Sequence, residues 1–301
     1  MTDVADPATA VGAVDEADLP PLRPPSADNG LAGVFRRRYL LKLLVRREVI
    51  ARYQGSVLGL LWSYINPLSQ FFIYYFIMGA IFQLHTDIPN FAIHIFSALV
   101  IVHFFAETLN AGVRAIVRNR GLVVKMAMPR EMFPVATMLV SLWHVVPQLF
   151  ILLAATLVSG WRPDLYGMAC FVVAVLMIMM LGTGLALLFS AANVFFRDVG
   201  SAITIIVNVI RFGVPMIYSY EMVQDRFGWF AQYYLWNPIA DAVILFQRAF
   251  WTGADNNTGN EIVMPDHILY WGLGMLGVSA VVLLIGQLVF SRLENKIPER
   301  L

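Results

Sequence analysis

The 301 residues are 59% hydrophobic and only 14% charged, with a net charge of +1 and a mean hydropathy of +0.69. A chain of this length has too small an interior to bury so much apolar surface, so the excess is expected to face lipid. This composition excludes a disordered protein and a nucleic-acid binder, and the single cysteine, Cys170, excludes a disulfide-based secreted scaffold.

The N-terminal residues 1–33 are predicted to be a disordered, acidic cytoplasmic tail rich in proline and alanine. Residues 1–30 hold six acids and one arginine, a net charge of −5, which leaves +6 for the rest of the chain. The tail has neither the basic start nor the apolar core of a signal peptide, so we expect it to stay attached. It is either a solvated leader or a regulatory or docking tail. Residues 34–301 are predicted to form one transmembrane domain.

Residues 36–53 are too charged to cross a membrane and are predicted to form an amphipathic helix in the cytoplasmic interface. Arg38, Lys42 and Arg46 recur every four residues and so share one side of a helix. Four apolar residues gather on the opposite side: Leu40, Leu43, Leu44 and Ala51. This helix is either an anchor held by anionic lipid or a binding surface for a partner protein.

Six apolar runs are long enough to cross the roughly 30 Å hydrocarbon core of a membrane as helices. Lys and Arg, which are retained in the cytoplasm, flank one set of helix ends, whereas the opposite loops contain only Arg162, Arg226 and Arg248. This distribution and the even number of spans place both termini in the cytoplasm. The six predicted spans are residues 57–82, 91–115, 133–159, 165–194, 202–220 and 268–290.

The external stretch 221–267 contains two apolar pieces, 227–240 and 242–251, each too short to span. They are predicted to be paired re-entrant helices that dip into the outer leaflet and return, joined at Asn237 and Pro238. The predicted fold class is therefore an all-α polytopic membrane protein. It has six transmembrane helices, an N-terminal interfacial amphipathic helix and two short re-entrant helices before the last span.

No nucleotide-binding loop, zinc motif or catalytic serine motif occurs in the sequence, so we expect no catalytic residue, nucleotide site or metal site on this chain. His94 and His103 would lie on opposite sides of a helix, which favours hydrogen bonds between helices over metal binding. Glu107 and Arg211 are charges inside predicted spans, which makes them functional candidates. Either they pair with each other, or Glu107 lies close enough to the cytoplasmic edge to be solvated.

Aromatic residues are concentrated in the first predicted span and at the end of the fifth. Tyrosines deep in a span need hydrogen-bond partners, and aromatic faces in a polar-lined passage offer a stacking surface to sugar rings. Packing between helices is the alternative, and it explains single residues better than the cluster. The predicted substrate-channel residues are Trp62, Tyr64, Phe71, Tyr74, Tyr75, Tyr218 and Tyr220.

Several separated motifs carry a resemblance to one family. They are Arg52-Tyr53-Gln54-Gly55-Ser56-Val57-Leu58-Gly59-Leu60-Leu61-Trp62 running into Asn66-Pro67-Leu68, Asn119-Arg120-Gly121-Leu122-Val123-Val124-Lys125, Pro129-Arg130-Glu131, Phe196-Arg197-Asp198-Val199 and Asn237-Pro238. Together they resemble the type 2 ABC exporter permeases that move polysaccharides and teichoic acids, the Wzm group. The resemblance runs from Arg36 to the C-terminus. The acidic leader departs from shorter members and resembles actinobacterial ones, which include galactan exporters.

The resemblance implies a permease in the bacterial plasma membrane that forms a homodimer and binds two separate ABC ATPase subunits. ATP and Mg would bind those subunits, so this chain needs no cofactor. The substrate would be an undecaprenyl-diphosphate-linked glycan, passed outwards between the two copies, with membrane lipids but no nucleic acid as further partners. Basic residues at the cytoplasmic entrance would draw in the diphosphate: Arg38, Lys42, Arg46 and Arg52.

The resemblance also assigns residues 121–130 to a coupling helix seated on the ATPase. A chain with no phosphate-binding loop needs a separate subunit to hydrolyse ATP for it. A basic cytoplasmic loop between two spans is a suitable contact for that subunit. The residues expected to couple the ATPase are Gly121, Lys125, Pro129, Arg130 and Glu131.

Three alternatives remain at this point. An ABC permease for a drug or lipid differs only in cargo, and the aromatic cluster and the family motifs argue against it. A secondary transporter would need inverted repeats and paired ionisable groups at the midplane, and the sequence has neither. A membrane enzyme acting on lipid-linked sugars would need acids or histidines gathered at one interface, whereas the external acids are dispersed.

Overall fold

The computed structural model describes residues 30–126, 128–254 and 262–300, and every regular element in these ranges is helical. The predicted tail falls almost entirely on residues 1–29, outside the described residues, and stays a prediction. The first helix begins at Leu31, directly after Gly30.

The helices follow one another along the chain with short connections. They are α1 Leu31–Arg36, α2 Arg38–Tyr53, α3 Trp62–Tyr74, α4 Leu84–Asp87, α5 Phe91–Arg118, α6 Arg120–Lys125, α7 Met132–Val158, α8 Leu165–Phe195, α9 Val199–Phe212, α10 Tyr220–Phe227, α11 Ala231–Tyr234, α12 Pro238–Phe250, α13 Ile268–Leu293 and α14 Ile297–Arg300. Turns of 3-10 helix cover Gly59–Leu61, Gly228–Phe230, Thr252–Ala254 and Glu294–Lys296, and a π-helix covers Tyr75–Ile81.

Within the described residues, four helices are long and apolar enough to cross a membrane: α5, α7, α8 and α13. They coincide with the second, third, fourth and sixth predicted spans, with ends that differ by at most a few residues. Long, predominantly apolar runs produce these helices, because a single segment in lipid satisfies its own backbone hydrogen bonds only as a helix. The prediction of a polytopic helical membrane protein is confirmed.

The first and fifth predicted spans have a different local structure. The first is divided into a 3-10 turn, α3 and the π-helix Tyr75–Ile81. The fifth is the 14-residue helix α9, which ends at Phe212 and not at the predicted Tyr220. Gly213 terminates it, and Pro215, which has no N–H to donate, follows two residues later. That these two regions cross the membrane, and the total of six spans, stay predictions.

The predicted interfacial helix exists as α2 and begins at Arg38. Its basic residues Arg38, Lys42 and Arg46 are exposed. Leu41 and Leu44 are buried on the opposite side, where α2 packs against α7. The helix therefore lies with one apolar edge on the helical bundle and a row of positive charge facing outwards.

The external stretch folds into short helices. The first predicted re-entrant piece, 227–240, is not one helix: it contains a 3-10 turn, α11 and the start of α12. The second piece lies in α12, whose start is fixed by the Asn237 side chain accepting a hydrogen bond from the Ile239 N–H and by Pro238 in the first turn. α12 packs against α5, α8 and α13 and is almost wholly buried. Its re-entrant placement stays a prediction.

Helix α5 is the centre of the bundle. Its most apolar stretch is 83% buried, against 17% for α13 at the edge. Helices α8 and α13 approach backbone to backbone, since a Cβ atom on Gly286 would lie 2.2 Å from the Gly184 carbonyl oxygen. Glycine at both positions permits this close packing, which in lipid replaces the hydrophobic effect as the source of helix association.

Candidate transport cavity

Two adjoining cavities lie between the helices, one of about 390 Å³ and one of about 450 Å³. They share Arg52, Glu107 and Asn110, so they form one polar passage, which we call the polar cavity. The first part reaches Gln70 on α3 and Arg211 on α9. The second part extends along α5 and α7 to residues near the basic ends of these helices: Glu48, Arg114, Arg118, Thr137 and Ser141.

Two stripes of polar residues line the polar cavity. On α5 they are His103, Glu107, Asn110 and Arg114, and on α7 they are Thr137, Ser141, His144 and Gln148. Both sets follow the spacing i, i+4, i+7, i+11, which places each set on one face of its helix. Two otherwise apolar spans thus turn matching polar faces towards one another, which explains why polar residues line a cavity inside an apolar bundle.

Glu107 is held by residues from two other helices. Arg52, in the last turn of α2, forms an ion pair with it, and His144 Nδ1 lies 2.7 Å from Glu107 Oε1. Arg52 is half-exposed and Glu107 mostly buried. The sequence allows two alternatives: Glu107 pairs with Arg211, or Glu107 lies near the cytoplasmic edge and is solvated. The structure instead pairs Glu107 with Arg52 and His144.

Arg114 ties α5 to α9 through neutral acceptors. Its Nη2 atom donates to the Gly200 carbonyl oxygen at 2.8 Å and to Thr204 Oγ1 at 2.9 Å, and Nη1 donates to the Asn110 carbonyl oxygen at 3.2 Å. No carboxylate in the described residues pairs with Arg114. Its positive charge is therefore positioned but not neutralised.

The histidines make polar contacts between helices, as the sequence predicted. His103 Nε2 lies 2.6 Å from Gln70 Oε1, and His94 Nδ1 lies 3.2 Å from Gln247 Nε2. No cluster of three or more potential metal ligands occurs in the part of the chain that the structure describes. These contacts join α5 to α3 and to α12.

The predicted channel aromatics do not form one cluster. Trp62 lines the polar cavity, whereas Phe71 stacks on Tyr75 and contacts Phe96 of α5 edge-on. Tyr75 is 39% exposed, and Tyr74 packs on the bundle core. Of the remaining predicted residues, Tyr64 is partly exposed on α3 and Tyr220 is buried. The Tyr218 hydroxyl lies 2.9 Å from the Tyr234 hydroxyl.

The predicted entrance residues also do not lie together in the structure. Arg52 lines both parts of the polar cavity, while Arg38, Lys42 and Arg46 lie on the exposed face of α2 and do not line it. Arg118, at the end of α5, lies 3.7 Å from Glu48 and also lines the cavity. The sequence prediction missed Arg114 and Arg118 as cavity residues, although their spacing from Glu107 signals a shared helix face.

The predicted coupling residues have two structural roles. Gly121 and Lys125 are exposed on α6 and available to a partner. Pro129 is buried, and Arg130 donates to the Glu294 carbonyl oxygen at 2.7 Å. Glu131 is fully buried and accepts hydrogen bonds from two groups, the Gly30 N–H and Gln287 Nε2, each at 3.0 Å. The second half of the predicted coupling segment therefore joins the N- and C-terminal regions of this chain.

A bundle of membrane-crossing helices around a polar, positively charged passage is the architecture of a membrane transport protein. Residues 39–251 match the model of the ABC-2 type transporter family, and the chain belongs to this family. It is a transport membrane subunit related to polysaccharide exporters, as the sequence motifs indicated.

Similar proteins include permeases of O-antigen export systems. Two are O-antigen export system permease proteins RfbA of Klebsiella pneumoniae, each 24% identical over 261 residues, which cover 86% of this chain and 94% of the relative. The third is an O-antigen export system permease protein RfbA of Myxococcus xanthus, 28% identical over 218 residues, which cover 72% of this chain and 82% of the relative.

Proposed function

We propose that this chain is the permease subunit of an ATP-driven exporter that moves a lipid-linked polysaccharide out of the cytoplasm. The observation that carries the proposal is the polar cavity, built from the facing stripes of α5 and α7 in a chain of the ABC-2 family. A hydrated glycan needs hydrogen-bonding side chains along its route, and these stripes supply hydroxyl, amide, imidazole and guanidinium groups. The relatives' role in O-antigen export supports the same class of cargo.

The transport route would lie between two copies of this chain, and two separate ABC ATPase subunits would bind ATP and Mg and drive it. The cargo would be a glycan on undecaprenyl diphosphate, and the likeness of the acidic leader to actinobacterial members favours a galactan. The chain would lie in the bacterial plasma membrane with both termini cytoplasmic, because the positive charges concentrate on that side.

The charge pattern argues against the alternatives. A secondary transporter driven by protons needs an acid on the transport route that is free to titrate. Both acids that line the polar cavity are engaged instead, Glu107 by Arg52 and His144, and Glu48 by Arg118. An exporter of drugs or lipids would favour an apolar lining. The residues that line the cavity instead include arginines, histidines and amides.

The test is a depletion strain of the source bacterium, complemented with the wild-type gene. We expect surface polysaccharide to disappear and lipid-linked polysaccharide to accumulate in the cytoplasmic leaflet, while drug susceptibility follows only the envelope defect. Complementation restores export. Unchanged surface polysaccharide after full depletion, or the loss of a phospholipid from the outer leaflet in its place, would refute the proposal.

A further inference from the structure

Arg211 is a charged residue that lines the polar cavity, and no carboxylate in the described part of the chain pairs with it. It lies near the end of α9, in an otherwise apolar run, and its side chain lines the cavity. Among the described residues no carboxylate or hydrogen-bond acceptor contacts its guanidinium group, and its Nε atom is buried without a partner. A charge among membrane helices is costly unless a partner or water compensates it, so this guanidinium is suited to a partner that the chain itself does not provide.

Neighbouring polar groups in the same cavity are also unsatisfied. Gln148 and His144 are each only 4% exposed. The Gln148 Oε1 and His144 Nε2 atoms have no hydrogen-bond partner in the described part of the chain. Gln148 Nε2 donates to the His144 carbonyl oxygen, and Gln70 engages His103. Buried polar atoms without partners cost free energy, and those that line a cavity mark where a polar ligand or water is accommodated.

The net charge of the side chains that line the polar cavity indicates the charge of a ligand that would fit there. Four arginines line it, at positions 52, 114, 118 and 211, against two glutamates at 48 and 107. Arg52 matches Glu107 and Arg118 lies near Glu48, so the excess of two positive charges rests on Arg114 and Arg211. Arg114 faces neutral acceptors only.

We propose that Arg211 binds the phosphate-ester oxygens of the cargo inside the membrane, with Arg114 adding positive charge in the adjoining part of the polar cavity. The proposal rests on the proposed function and adds a ligand site to it. A diphosphate diester carries two negative charges, which match the excess of the cavity, and guanidinium groups bind phosphate oxygens through paired N–H donors. The same chemistry is offered by phosphate groups within a glycan chain, and the two sources differ in whether an isoprenyl chain is attached.

The test measures binding to the purified full chain in detergent, with three isoprenyl probes of equal chain length: the diphosphate, the monophosphate and the alcohol. A water-soluble sugar phosphodiester is the fourth probe. We expect the diphosphate to bind tightest and Arg211→Gln to weaken it about tenfold or more, the value of one charge-assisted contact. Arg211→Lys should retain most of the affinity. Arg162→Gln, in an exposed loop away from the cavity, is the matched control and should bind like the wild type.

A second variant keeps the proposal testable if Arg211→Gln does not fold. Gln148→Glu keeps the shape of the side chain and adds a negative charge to the cavity, so it should weaken diphosphate binding to a similar degree. Equal diphosphate affinity in the wild type and in the folded variants would overturn the proposal, as would equal affinity for the diphosphate and the alcohol. Tighter binding of the sugar phosphodiester than of the isoprenyl diphosphate would assign the site to phosphates within the glycan.

The same variants separate this site from the proposed function. If depletion of the chain abolishes export while Arg211→Gln binds the diphosphate and exports normally, only the site is wrong. If depletion leaves surface polysaccharide unchanged while diphosphate binding still depends on Arg211, the site stands and the proposed function is wrong.

Discussion

Arg52, in the last turn of helix α2, forms an ion pair with Glu107, which lies inside the central helix α5. His144 of α7 approaches the same Glu107 oxygen atom at 2.7 Å. One carboxylate therefore joins three helices, and it connects α2 to the wall of the polar cavity. Any movement of α2 must either carry α5 and α7 with it or break this contact.

Replacing Glu107 with glutamine tests the contact. The change removes the negative charge and leaves Arg52 and His144 facing a neutral amide. We expect the free energy of unfolding to fall by about 1–3 kcal/mol, the usual cost of removing one member of a mostly buried polar network. Thermal unfolding of the purified chain in detergent measures it. Glu221→Gln, at an exposed position of α10, is the control, and equal melting temperatures for Glu107→Gln and the wild type would contradict the account.

The close approach of α8 and α13 gives a second prediction. A side chain at Gly286 would collide with the backbone of Gly184, which cannot move aside as a flexible side chain can. Gly286→Leu should therefore destabilise the folded chain by at least about 1–3 kcal/mol. Gly277→Leu is the matched control because nothing lies within 4 Å of a Cβ atom at that position on the same helix. Size-exclusion profiles and melting curves compare the two variants, and equal stability would argue against this packing.

Asp241 gives a prediction about pH. It lies in α12, outside the four long spans, it is fully buried, and neither of its carboxylate oxygens has a hydrogen-bond partner among the described residues. Burial raises the pKa of Asp241 to about 8. The unfolded chain releases this proton near pH 4, so wild-type stability should fall as the pH rises from about 4 to about 8 and then level off.

Asp241→Asn has no proton to release at this position. We expect its melting temperature to exceed that of the wild type by a margin that grows between pH 5 and pH 8. Asp225→Asn, at an exposed position, should show no such margin. A constant difference between Asp241→Asn and the wild type across this pH range would show that the buried carboxyl group does not titrate as described.

The coupling segment gives a prediction that separates a binding role from a structural one. Lys125 is exposed on α6, whereas Arg130 bonds to the carbonyl oxygen of Glu294 near the C-terminus. Lys125→Glu should weaken co-purification of the ATPase and leave the melting temperature of the isolated permease unchanged. Arg130→Glu should lower that melting temperature by itself. Full ATPase association in Lys125→Glu would refute the assignment of α6 as the coupling helix.

The long helices could be predicted from the sequence because the rule behind them is local. A predominantly apolar run of about 20 residues satisfies its own backbone hydrogen bonds in lipid by forming a helix, and α5, α7, α8 and α13 follow this rule. The break at Gly213 and the π-helix at Tyr75–Ile81 depend on packing against neighbours, which hydropathy does not report. For that reason the first and fifth spans differ most from their predicted form.

The cavity was less predictable than the fold. The aromatic residues of the first and fifth predicted spans predict a sugar-binding surface. Of these predicted channel residues, only Trp62 lines the polar cavity. The stripes on α5 and α7 were visible in the sequence as polar residues at helical spacing, but which helix faces which is a tertiary property. The partner of Glu107 could not be predicted for the same reason, since Arg52 lies on a separate helix 55 residues away.

Transport into sealed inside-out vesicles tests the central claim most directly. The vesicles contain this chain and its ATPase subunit, and labelled lipid-linked polysaccharide is supplied on the outer face, which corresponds to the cytoplasm. We predict that the label becomes protected in the lumen only with hydrolysable ATP and Mg, and that vesicles with this chain alone neither hydrolyse ATP nor accumulate label. Equal accumulation in vesicles without this chain, or ATP-driven accumulation of a hydrophobic drug but not of the polysaccharide, would contradict the claim.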